Sequence, residues 1–163
     1  EPTRGRGPMG ACHTAAMELA TDRGFRFPVD AGAFWSAISD IERYRAWWPW
    51  LTSFDGRGLA TGDVWQCTVR PQVPYLVRFV VHLDEVEPCR RIVATVDGDI
   101  RGRAELMVRP TAGGCEVTLQ SRLAPRARGL RALAMLAPPV VRRGHDWILD
   151  AGARQFAGRA LAA

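Results

Sequence analysis

Two periodicities divide the chain. Between Leu51 and Leu123 apolar side chains recur at every second position, whereas after Asp30 and again after Pro125 they recur three and four residues apart. The longest alternating run, 75–87, sets Tyr75, Val77, Phe79, Val81 and Leu83 against Leu76, Arg78, Val80, His82 and Asp84. The first set is apolar and the second carries the charge, which predicts a sheet with one covered face and one wet face. Further strands are predicted at about 51–58, 63–70, 92–96, 100–109 and 115–123. They are separated by Asp55-Gly56, Thr61-Gly62-Asp63, Glu87-Pro88, Asp97-Gly98-Asp99 and Ala112-Gly113-Gly114. Short connections of this kind join neighbouring antiparallel strands, so this half of the chain reads as a meander.

Before the meander, a strand is expected from about His13 to Phe27, where Phe25 and Phe27 alternate with Arg26. Pro28 stops it, and Asp30 can cap a helix carrying Phe34, Ile38 and Ile41 at helical spacing. Ser39-Asp40 opens a second short helix through Tyr44 and Arg45, which runs into the aromatic knot Trp47-Trp48-Pro49-Trp50-Leu51. The segment from Pro125 to Ala160 reads as helix, with Leu130, Leu133, Ala134, Ala137, Val141, Ile148, Gly152 and Phe156 as its apolar stripe. Pro138-Pro139 must kink or break it, because each proline lacks a backbone donor and the second pushes the first away from α geometry. The part beyond the prolines should run about 20 residues, near 30 Å.

These elements form an α+β architecture of six or seven antiparallel strands, two short helices and a long C-terminal helix. A helix is about 10 Å wide, and strands of about 11 residues exceed 30 Å in length. One helix therefore cannot blanket the apolar face of so many strands. The surplus face must curl around the helix, be plugged by side chains or enclose a small molecule.

Composition changes this picture little. Hydrophobic residues make up 47% and charged residues 24%, ordinary values for a globular protein. The size suits one domain, expected over 13–163 behind a flexible Gly-, Pro- and Arg-rich arm at 1–12. No apolar run reaches the roughly 18 residues of a spanning helix, and residues 1–16 lack the apolar core of a secretory signal. A cytoplasmic location follows as the expectation. The net charge of +5 invites a nucleic-acid reading, but all 22 basic residues are arginine. That bias is the mark of a GC-rich, bacterial-type genome, and the arginines are scattered rather than interleaved with stacking aromatics, so no nucleic-acid partner is expected. Cys12, Cys67, Cys89 and Cys115 lie too far apart for a zinc or C-x-x-C site. They read as reduced structural thiols, and neither metal nor cofactor is expected.

In detail the chain resembles the START-like superfamily, also called SRPBCC or Bet v 1-like, in its polyketide cyclase/dehydrase and lipid-transport branch. The resemblance is carried by Phe27-Pro28-Val29-Asp30 leading to Phe34-Trp35, and by Ile41-Glu42-Arg43-Tyr44-Arg45-Ala46-Trp47-Trp48. Glu85-Val86-Glu87-Pro88 before Arg91-Ile92-Val93, and Gly113-Gly114-Cys115-Glu116-Val117, continue it through about residues 13–160. It implies the helix-grip fold and a hydrophobic cavity between sheet and long helix. Members of the superfamily range from lipid carriers to cyclases and share no single set of catalytic residues.

His145-Asp146-Trp147 is the cluster nearest to chemistry. His145 follows Val141 by four residues and precedes Ile148 by three, close to the inward stripe, where an imidazole can act as general base or hold a ligand oxygen. It can equally bond a carbonyl or cover the helix edge. Asp146 points about 100° away on a helix, so it is not by spacing the orienting carboxylate. On the strands, Trp65, Tyr75, Phe79 and Leu119 are candidate cavity residues, with the Tyr75 hydroxyl as polar handle. Trp35, Trp47 and Trp48 are candidates from the short helices, one of the last pair lining the cavity mouth and the other packing. Val141, His145 and Ile148 complete the set from the long helix. The expected function is binding or transport of a small hydrophobic molecule such as a lipid, polyketide or terpenoid. A cyclase, aromatase or dehydratase using pocket acid/base groups is the alternative, and a protein-interaction module of the same fold is a third.

Overall fold

The structure, a computed structural model, describes residues 17–72 and 74–162. The arm expected over 1–12, Cys12 and the start of the strand expected from His13 lie outside the described residues. The elements run β1 (Leu19–Phe27), α1 (Ala31–Ile38), a 3-10 turn (Ile41–Arg43) and α2 (Tyr44–Trp47). The meander follows as β2 (Leu51–Asp55), β3 (Val64–Val69), β4 (Val77–Glu87), β5 (Arg91–Gly98), β6 (Ile100–Thr111) and β7 (Gly114–Pro125). The chain ends in α3 (Arg128–Leu136) and α4 (Pro138–Arg159).

All seven strands form one antiparallel sheet in the order β1-β7-β6-β5-β4-β3-β2. The first strand closes against the last, and α1 and α2 carry the chain across to the opposite edge. Alternation sets the register: Val81, Leu83 and Val86 stand opposite Val96, Ala94 and Ile92. A register shift between Leu83 and Glu85 explains why Val86 joins the inward set although it is three residues after Leu83. Such an extra residue also bends its strand, which helps the sheet curl.

Local chemistry places the boundaries. The Asp30 carboxylate caps α1 by accepting from the Ala33 N–H at 2.8 Å. β2 ends at Asp55, three residues short of its expected end, because the chain turns over Trp65, whose indole donates to the Gly58 carbonyl at 2.8 Å. Gly98 sits at φ +136°, and a Cβ there would lie 2.7 Å from the Arg78 carbonyl, so the β5–β6 turn admits only glycine. The break expected at the prolines is complete: Ala137 leaves helical geometry (φ −143°, ψ 64°), and Pro138 and Pro139 begin α4. At a helix start the missing proline donors cost nothing, since those N–H groups have no partner inside the helix.

The core lies between the concave sheet face and α4, densest around Phe156. This ring is 3% exposed and meets Phe27, Phe34 and Trp47 edge-on at centroid distances of 5.8, 5.4 and 5.4 Å, with Trp48 stacked at 6.2 Å. Removing so enclosed a ring loses both its transfer energy and its contacts. Phe156→Ala should therefore destabilise the fold by about 3–5 kcal/mol, read from urea denaturation. The exposed Val64→Ser should stay within about 0.5 kcal/mol of the parent.

Candidate functional site

The concave interior has two unlike ends. At one, Tyr44 gathers Trp47, Trp48, Phe54 and Trp65 at centroid distances of 5.8, 4.9, 5.2 and 5.7 Å. Its hydroxyl donates to the Ile38 carbonyl at 2.6 Å, and burial holds its pKa far above the ordinary range. Burial also pushes the neighbouring Cys67 thiol up to about 12, so this cysteine stays protonated. This end is filled.

The other end holds a cavity of about 250 Å³. The strands contribute Leu19, Val69, Val77, Phe79, Val96, Ile100 and Leu123 to its wall. Trp50, Pro71, Tyr75 and Pro125 close its rim, and Leu130, Val141, Gly144, His145, Ile148 and Leu149 come from the two C-terminal helices. These strand residues lie at the ends of β3, β5 and β7 and at the starts of β1, β4 and β6, which the antiparallel register brings to one rim of the sheet. The turn from α3 into α4 crosses this rim, so the N-terminal half of α4 roofs the cavity and the half carrying Phe156 covers the aromatic plug.

Two polar groups interrupt the apolar wall. His145 Nε2 lies 2.7 Å from the Thr21 hydroxyl of β1. Two residues on, Arg23 reaches the same helix, pairing with Asp146 at 3.4 Å and hydrogen-bonding Asp150. β1 thus clamps α4 at three positions, and Asp146 serves the clamp rather than His145. Burial lowers the His145 pKa; Asp146 acts in the opposite sense, and Arg23 and Arg142 push it further down. The imidazole is therefore neutral near pH 7, with one donor and one acceptor nitrogen. Tyr75 supplies the second group. Its hydroxyl oxygen is buried, has no hydrogen-bond partner among the described residues, and is kept protonated by burial, which raises its pKa.

The structure brings five of the ten sequence-derived candidates to this cavity: Tyr75, Phe79, Val141, His145 and Ile148. The other five lie elsewhere. Trp47 is 2% exposed within the plug, and Trp48 donates to the Gly152 carbonyl at 3.0 Å, so neither lines the cavity mouth. Trp35 is buried on α1. Trp65 shares its strand face with Val69 but stands four residues away, about 13 Å along the strand. Leu119 is separated from Leu123 on β7 by the same distance.

Trp50, absent from the sequence-derived set, is the tryptophan that reaches the cavity. It stacks on Trp48 at 5.8 Å and is fixed by its indole N–H to Gln155 Oε1 at 3.0 Å. Its place in the aromatic knot was the available signal, which does not rank the three tryptophans. Val96, Ile100 and Leu123 were legible as inward-facing. Thr21 carried no signal, because a lone threonine on a strand face does not announce a partner 124 residues away.

The sequence profile of the family described as polyketide cyclase/dehydrase and lipid transport matches residues 22–160. No curated protein matches the chain in sequence. Among solved structures, TTHA0849 from Thermus thermophilus superposes with a TM-score of 0.72 at 15% identity, covering 90% of this chain and 98% of that one. Ara h 8.0201 does so with a TM-score of 0.67 at 12% identity, covering 90% and 100%. The Zhui aromatase/cyclase from Streptomyces sp. R1128 gives 0.66 at 14% identity, covering 90% and 93%. At such identities the structural likeness is one of fold, the helix grip: a curled seven-stranded antiparallel sheet around a long C-terminal helix. With the family profile spanning 139 of 163 residues, the chain belongs to the polyketide cyclase/dehydrase and lipid transport family.

Proposed function

We propose that this protein binds a compact, uncharged, mainly apolar molecule carrying a hydrogen-bonding oxygen, held in the cavity beneath α3 and the first half of α4. The observation that carries this reading is the cavity wall, apolar except for a neutral imidazole and an unpartnered buried phenol. A buried donor without a partner is unfavourable by about 1–3 kcal/mol, and a ligand oxygen would relieve it. Among the described residues no arginine lines the cavity, so a carboxylate or phosphate would enter without a counter-charge.

Size narrows the class. An apolar cavity of about 150 Å³ accepts benzene, and pockets for drug-sized ligands start near 300 Å³. At about 250 Å³ the space suits a molecule of one or two rings, or one segment of a longer chain. This is tighter than a whole polyketide or lipid requires.

A second reading is supported by the convergence of His145 and Tyr75 on one cavity. A neutral imidazole can take a proton and a phenol can donate one, which is the minimum for closing and dehydrating a keto-bearing chain by positioning and acid/base transfer. With Nε2 engaged by Thr21, Nδ1 is the nitrogen that would meet a substrate proton. The Zhui aromatase/cyclase shares the fold, which is compatible with this reading. His145→Ala separates the two: turnover lost with ligand affinity retained favours the enzyme, and no turnover in the parent favours the carrier.

The binding reading is tested with 2-naphthol, a neutral fluorescent probe with two rings and one hydroxyl oxygen. The parent should enhance its emission saturably, and Val141→Trp, which puts bulk into the cavity, should weaken binding at least tenfold without lowering Tm. Equal binding by parent and variant would remove the cavity from the account. A second prediction concerns pH. Because the folded-state pKa of His145 lies below the unfolded value near 6.5, the unfolded chain takes up a proton that the fold refuses. Parent stability relative to His145→Gln should therefore be constant above about pH 7.5 and fall as pH drops through 6.5 towards 5, read from paired urea denaturations.

A further inference from the structure

The two helices over the cavity end present an unusual outer surface. Residues 135–140, Met-Leu-Ala-Pro-Pro-Val, carry no charge, and all but Ala137 are exposed. Met135 is 73% exposed and Leu136 86%, and Val140 follows at 39%. Adjacent large apolar side chains turned to water mark an interaction surface. From Ala124 to His145 the chain holds five arginines, Arg126, Arg128, Arg131, Arg142 and Arg143, and no carboxylate. All five are exposed, and among the described residues none forms an ion pair.

We propose that the α3–α4 junction docks this protein on an anionic lipid bilayer. Met135, Leu136 and Val140 enter the boundary between headgroups and acyl chains, while the arginine collar meets lipid phosphates. Charge complementarity selects this occupant. A second copy meeting the same surface would bring two arginine collars together. A nucleic acid would set its phosphates against an apolar tip, and residues 126–143 offer no aromatic ring for bases to stack on. The contact is peripheral, since no helix among the described residues is long and apolar enough to cross a membrane.

Leu130 and Val141, on the inner faces of these same helices, line the cavity. A docked tip therefore sets the bilayer against the cavity roof, where an apolar guest could pass without crossing water. That consequence rests on the cavity reading; the docking itself does not, and its assay needs no guest.

The test is co-sedimentation of the full chain with vesicles of phosphatidylcholine alone and of phosphatidylcholine mixed with phosphatidylglycerol. The parent should partition onto the mixed vesicles at low salt and leave them at high salt, as screened charge requires. Met135→Ser with Leu136→Ser should lower that partition about tenfold or more, with Tm nearly unchanged because both side chains are exposed. Arg142→Glu with Arg143→Glu should lower it comparably on mixed vesicles only. Equal sedimentation with both vesicle types, or no effect of the serine pair, overturns the proposal. So does a parent dimer that the serine pair dissolves in the absence of vesicle binding, which assigns the tip to self-association. Retention on a nucleic-acid duplex without vesicle binding overturns it equally.

Discussion

The structure depends on how α4 lies along the concave sheet. One helix about 10 Å wide must serve seven strands, and its two halves meet different partners. The half carrying Phe156 lands on rings delivered by α1, α2 and β1, and together they make a solid plug. The half carrying Gly144, His145 and Ile148 meets the sheet rim, α3 and, from the aromatic knot, Trp50. The plug anchors the helix, and the clamp from Thr21 and Arg23 fixes its height over the rim. A cavity follows because the rings at the second half, Trp50, Tyr75 and Phe79, border the space without filling it.

That division separates stability from chemistry along a single helix. In the plug, Phe156 and Tyr44 each meet four other rings, so its residues are held by packing. The cavity end has apolar walls and two polar groups whose environments push both towards neutrality, the imidazole by losing its proton and the phenol by keeping it. A low-dielectric space lined by uncharged donor and acceptor groups is a costly place for an ion.

The outer surface of the cavity roof extends the pattern. α3 and the first turn of α4 are apolar inward, where Leu130 and Val141 line the cavity, and apolar again at the tip, where Met135 and Leu136 face solvent. Arginines occupy the flanks. An ordinary surface helix is polar on its far side, whereas this junction is apolar on its outer side as well.

By itself the sequence determined which way side chains face. The alternation along 75–87 placed Val77, Phe79 and Leu83 inward and Arg78 and His82 outward, because a strand turns each successive residue to the opposite face. The prolines at 138–139 likewise determined where the C-terminal helices part. Position along the strands was a different matter. Phe79 and Leu83 share a face, yet one borders the cavity and the other, 2% exposed, sits in packed core. A period of two is the same at both ends of a strand. Which end is plugged was decided by where the α1–α2 crossing delivers Trp47 and Trp48, and by the direction in which α4 returns across the sheet. Those are contacts between residues a hundred or so positions apart, as with Trp48 and Gly152, and no local pattern encodes them.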